Sequence, residues 1–118
     1  MVIKILRFKN GLDIVCKCEF YDDVVVIEDA MMFEVRGVNL AMQHWAPAAI
    51  IKENKTHVMA DTVLCFFEPT EDFVDYYSEL IGKMNNKLNE LKNRDENNNS
   101  EELLKEIIEG TLKGSYVH

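Results

Sequence analysis

From Leu12 onward the chain alternates with a period of two. Leu12, Ile14, Cys16, Cys18 and Phe20 are interleaved with Asp13, Val15, Lys17 and Glu19. Such alternation predicts a strand with one face in a core. Asn10-Gly11 stands directly before it and predicts a two-residue type I′ hairpin turn, because both of its central positions need φ > 0. A preceding strand over about Val2 to Phe8 completes the hairpin.

The same pattern continues to Phe67. Asp22-Asp23 predicts a turn, and a third strand runs from Val24 to about Val35. Its alternation stumbles at Glu28-Asp29-Ala30, which predicts a bulge or a sharp bend. A fourth strand covers Val38 to about Trp45. Pro47 interrupts it, since proline donates nothing to a ladder, and Ala48 to Ile51 is expected to resume pairing. Thr56 to Met59 and Thr62 to Phe67 read as the last strands. Several short strands joined by tight turns predict a small, bent, antiparallel barrel.

The period changes after Glu68-Pro69. Thr70 is placed to cap a helix, and Glu71, Asp72 and Asp75 suit its positive end. Phe73, Tyr77, Leu80, Ile81, Met84, Leu88 and Leu91 recur at three- and four-residue spacing, predicting a helix over about Thr70 to Lys92. Asn93 to Asn99 is polar and aperiodic and reads as a loop. Ser100 then caps a second expected helix, whose apolar side is Leu103, Leu104, Ile107, Ile108 and Leu112. The expected organisation is thus a β-barrel over residues 1–68 and a helical extension over 69–118.

Length sets a packing problem for the first helix. At 1.5 Å per residue it reaches roughly 34 Å, whereas a barrel of ordinary short strands is about 20 Å across. The end carrying Met84, Leu88 and Leu91 therefore needs a further partner, either the second helix or a neighbouring subunit.

Composition narrows the function classes. The chain has 118 residues and a formal net charge of −8, an unfavourable balance for a nucleic-acid binder, whose affinity comes largely from phosphate contacts. Lys4, Arg7, Lys9 and Lys17 nevertheless gather in the first two strands, opposed up to residue 17 only by Asp13. No apolar run reaches the roughly 20 residues of a membrane helix, and no leader pattern precedes the first strand. Three cysteines, two on the apolar side of one strand, read as reduced core thiols and point to the cytoplasm.

Candidate chemistry is sparse. Cys16-x-Cys18 lies at i, i+2 in a buried strand, whereas zinc sites pair their ligands across turns, so core packing is the expectation and no metal is assigned. Cys65 with His44 or His57 is the only combination resembling a nucleophilic pair, and Cys65 sits between Leu64 and Phe66 in a strand. Asp22-Asp23 and Glu28-Asp29 lack the spacing of a calcium loop and read as turn and bend residues. No catalytic residue or cofactor is expected. Trp45, Leu64, Phe66, Leu88 and Leu91 are the candidate subunit-interface residues.

The order of these elements resembles the Sm-like (LSm) family. Gly11, Ile14, Cys18, Tyr21 and Asp22 follow the order of that family's first motif, and Ile27-Glu28-Asp29-Ala30 is similar to its third strand. The whole chain is similar to small Sm-like proteins of tailed marine phages that carry a C-terminal helical tail. The resemblance implies an Sm-like (SH3-like) barrel followed by two α-helices, and a non-enzymatic homo-oligomeric ring that binds RNA or assists ribonucleoprotein assembly. The alternative is the same oligomer serving as a scaffold or regulatory interaction module without RNA. The family's RNA-reading Asn falls at Val24 or Val26 here, and its late Arg-Gly pair is absent around Met59-Ala60-Asp61-Thr62, so no RNA-contacting residue carries over.

Overall fold

The computed structural model describes residues 1–94. Six strands and one helix follow in order: β1 (Val2–Phe8), β2 (Asp13–Phe20), β3 (Val24–Arg36), β4 (Asn39–His44), β5 (Lys55–Met59), β6 (Val63–Phe67) and α1 (Glu71–Arg94). A short 3-10 turn, Ala60–Thr62, joins β5 to β6. All pairings are antiparallel, in the order β4-β3-β2-β1-β6. β5 is also antiparallel to β3, along Val24–Glu28, while β4 occupies Met31–Arg36.

A bulge divides β3 between those two partners. Val15 pairs with Met31, and Lys17 with Glu28, so two steps on β2 face three on β3. The additional backbone is accommodated at Asp29, whose φ is +54°. A non-glycine residue in the left-handed region is uncommon, and Asp is one of the few side chains that tolerate it. The phase stumble expected at Glu28-Asp29-Ala30 is this bulge. It bends the sheet and sends the two halves of β3 to different neighbours.

Both faces of the bent sheet are apolar. One encloses Leu6, Phe8, Ile14, Cys16, Cys18, Val25, Ile27 and Ala30, with Trp45, Val58 and Val63 packed at its margin. The other carries Val15 and Met31, which bury against Tyr77 and Ile81 of α1, flanked by Ile3, Ile5, Phe33, Phe73 and Met84. Burying a side chain such as Ile81 in this way is worth about 2 kcal/mol. Thr70 caps the helix as expected, its Oγ1 accepting a 3.3 Å bond from the Phe73 amide.

Four expectations are corrected. The first is the barrel followed by two α-helices. The described residues form a bent six-stranded antiparallel sheet and a single helix, and the second helix expected from Ser100 lies outside them. The β1–β2 connection is not a type I′ turn, because Asn10 is not left-handed. The Gly11 amide donates to the Phe8 carbonyl, Gly11 alone takes φ +90°, and the Phe8 amide closes the loop on Leu12 O. A three-residue loop ending in a left-handed glycine fits the twist equally well. Ala48–Ile51 does not resume a strand. The Ile50 and Ile51 amides both donate to the Pro47 carbonyl, which winds this segment into turns. Phe20, read as the last inward residue of β2, is 43% exposed.

Candidate functional site

Asp29 is the one buried charged residue among those described. Its left-handed backbone turns both peptide groups away from the sheet ladder, and each finds a distant partner. The Asp29 amide donates to Asn54 O at 2.8 Å, and the Tyr77 hydroxyl donates to Asp29 O at 2.6 Å. The carboxylate is equally occupied. Lys17 Nζ donates to Oδ2 at 3.0 Å and Asn85 Nδ2 to Oδ1 at 3.2 Å. One residue thus joins β2, β3, the β4–β5 connection and α1.

His44, at the end of β4, completes this junction. It pairs with Met31 just past the bulge. Asn54 Nδ2 lies 3.4 Å from its Nδ1, an amide donor facing a ring acceptor. The neutral ring's proton is then on Nε2, which is buried without a hydrogen-bond partner among the described residues. Burial pushes the His44 imidazolium below its usual range, with the Lys92 charge acting in the same direction and Asp29 opposing. Lys92 itself donates to Ile51 O at 2.9 Å. Tyr77, Asn85 and Lys92 are therefore three polar ties from one helix to one bulge and its adjoining connection.

The junction holds the far end of α1. Leu88 and Leu91, expected at a subunit interface, are half-buried on that end of the helix. Trp45, from the same expected set, stacks on Phe8 at 5.8 Å between ring centroids and lines the margin of the inner core. A shallow groove of about 660 Å³ opens there, between Phe8, Leu12, Trp45, Val58 and Met59.

Leu64 and Phe66 lie elsewhere, on β6. That strand ends the sheet order and, among the described residues, pairs only with β1. The register shifts between Arg7 and Phe8, leaving Leu64 62% exposed; Phe66 is 54% exposed. The ring of Phe66 meets that of Phe20 at 5.2 Å, with Lys4 Nζ 5.9 Å from its centroid. Phe67 is also exposed, and the Arg7 guanidinium lies over it at 5.1 Å. The expected interface residues thus fall into separate places: β6, the groove margin, and the end of α1.

The basic residues of the first two strands are largely neutralised. Lys4 pairs with Glu68 at 2.6 Å, Arg7 with its cross-strand neighbour Asp13 at 2.8 Å, and Lys17 with Asp29. Only Lys9 of the four has no ion pair among the described residues. Cys16 and Cys18 are packed in the inner core. Cys65 sits on β6 opposite Arg7, and His44 is at the end of β4 facing Asn54. His57 is on β5, paired with Val26.

The alternation pointed to this junction without naming it. Val25, Ile27, Asp29 and Met31 share one phase, so an acid stands where an apolar residue belongs. The roles of Asn54, Tyr77 and Asn85 carry no such mark, because a helix stripe does not show which strand it covers.

No family model matches this chain, and no curated protein matches it. No helix among the described residues is long and apolar enough to cross a membrane.

Proposed function

We propose that the protein is a non-enzymatic, Sm-like interaction module whose copies associate through the β6 edge, serving as a scaffold without RNA. The observation that carries this reading is the pairing of a strand edge left open among the described residues with exposed Leu64, Phe66 and Phe67. Sheet edges in lone proteins are usually blunted by charge, proline or cover. β6, Val-Leu-Cys-Phe-Phe, carries none of these within the strand itself. A second copy laid along it would satisfy the open backbone groups and remove aromatic surface from water. The ion pairing of Lys4, Arg7 and Lys17 favours the scaffold over the RNA-binding alternative. Buried free thiols at Cys16 and Cys18 support a reducing, cytoplasmic setting.

Light scattering at micromolar concentration tests the reading. The expected mass is a multiple of 13.7 kDa. Leu64→Lys with Phe66→Lys should return a monomer with unchanged far-ultraviolet circular dichroism. A wild-type monomer, or a doubly substituted chain that still assembles, overturns it. Poly-U and mixed-sequence RNA at low ionic strength should not bind, and binding that weakens steeply with salt would restore the RNA reading.

A further inference from the structure

We propose that His44, Asn54 and Asp29 form a proton-operated latch that holds residues 77–92 of α1 on the sheet when His44 is neutral and releases them when His44 is protonated.

The argument starts from donor and acceptor counting. The Asn54 side-chain amide points a donor at His44 Nδ1. Neutral imidazole accepts there; imidazolium has donors at both nitrogens. Protonation therefore sets donor against donor at Nδ1. It also places a charge on a ring whose Nε2 is already buried without a partner among the described residues. A buried cation that lacks acceptors is costly. Turning the Asn54 amide would bring its Oδ1 to Nδ1, but Nε2 would still lack an acceptor among the described residues, so the charged ring is driven from its contact with the β4–β5 connection.

Asn54, which faces the ring, is also tied to the bulge. Its backbone carbonyl accepts from the Asp29 amide at 2.8 Å. Asp29 in turn receives Tyr77 through its carbonyl and Asn85 through its carboxylate. Displacing Asn54 loosens the residue on which two of the three helix ties converge. The third tie, Lys92 to Ile51 O, ends three residues before Asn54 on the same connection.

The charges around His44 decide the sign. From β3, the Asp29 carboxylate favours imidazolium, but Lys17 of β2 already engages that carboxylate. From α1, the Lys92 ammonium disfavours imidazolium, and burial does so more strongly. The balance lies with the neutral ring. The unfolded chain therefore takes up a proton more readily than the folded one, and stability falls as pH drops below the ordinary histidine range near 6.5. The device is of the kind histidine serves elsewhere, a small charge change biasing an element with two positions.

Two measurements on the full chain test it. Ring-proton NMR against pH, with His57→Gln removing one of the other histidine signals, should show His44 titrating below 6.5. Hydrogen exchange of residues 77–92, corrected for intrinsic rate, should accelerate severalfold between pH 7 and pH 5, while β1 and β2 stay protected. His44→Gln should remove that acceleration. Titration of His44 at or above 6.5 overturns the proposal, as does exchange in α1 that is unchanged by pH or equally pH-dependent in the variant. Should His44→Gln not fold, the wild-type titration and exchange still decide.

Discussion

The Tyr77 hydroxyl donates a 2.6 Å hydrogen bond to the backbone carbonyl of Asp29, forty-eight residues earlier in the chain. It is the most buried link between α1 and the sheet, with Tyr77 0% exposed. The ring packs against Val15, Met31 and Ile81, and its hydroxyl satisfies a carbonyl that the bulge has withdrawn from the ladder. A single aromatic residue thus serves both the apolar face of the sheet and the defect that bends it.

Tyr77→Phe should keep the packing and leave that carbonyl without a partner. The expected loss is about 1 to 3 kcal/mol, the cost of an unsatisfied buried polar group. Urea denaturation should show it as a lower midpoint at constant slope. The variant should also change the alkaline limb of stability. Burial, with the negative charge of Asp29 adding to it, raises the Tyr77 phenol above its usual range. A group raised on folding contributes fully below its unfolded value, near pH 10, and the contribution is lost as pH rises beyond it. Wild-type stability should therefore fall above pH 10 more steeply than that of Tyr77→Phe.

Asp29 combines an unfavourable backbone with a needed side chain, and two substitutions separate them. Asp29→Gly removes the carboxylate but relieves the φ of +54°. Asp29→Ala removes the carboxylate and keeps the conformation, now with a residue that tolerates it worse. Both leave Lys17 and Asn85 without their acceptor. Lys17 is about one-third exposed, so water screens its loss, and the shared cost should be about 2 to 3 kcal/mol rather than that of a fully buried pair. Asp29→Ala should cost about 1 kcal/mol more than Asp29→Gly. Thermal melts of the two variants would measure the difference, and equal melts would mean that backbone strain is not stored there.

These residues also show how far the sequence could be read. Alternation located the strands to within a residue or two, because each buried face repeats every second position. The stumble at Glu28-Asp29-Ala30 located the bulge, because an inserted residue must break that repeat. Val15 was the limit. It stands among Asp13, Lys17 and Glu19 on the side read as outward, yet it is fully buried beneath α1. One strand's pattern cannot report that a helix fifty residues later will cover part of its second face. The same blindness hid the polar junction. His44, Asn54, Tyr77 and Asn85 are unremarkable where they stand, and their meaning comes only from the long-range contact that gathers them. The over-long helix was legible as a problem, and the connection between β4 and β5 supplies part of the answer by receiving Lys92.

The thiols offer a check on the two faces of the curled sheet. Cys16 and Cys18 are 0% and 1% exposed inside it, whereas Cys65 is half-buried on the edge strand β6. The neighbouring Cys18 thiol, together with burial, raises the Cys16 thiol above its usual range. Thiolate is the reactive form, so ionisation adds to the protection of Cys16, while Cys18, whose thiol pKa the neighbouring Cys16 lowers, is protected by burial alone. A disulfide reagent added to the native protein should therefore modify one thiol quickly and the other two only on unfolding. Cys65→Ser should abolish the fast phase. If assembly occurs through β6 as proposed, that fast phase should also slow as protein concentration rises, because a docked copy would shield the edge. The Leu64→Lys, Phe66→Lys chain should then react at a rate independent of concentration. A fast phase that survives Cys65→Ser would mean that the inner core opens readily, and the enclosed face described here would not hold.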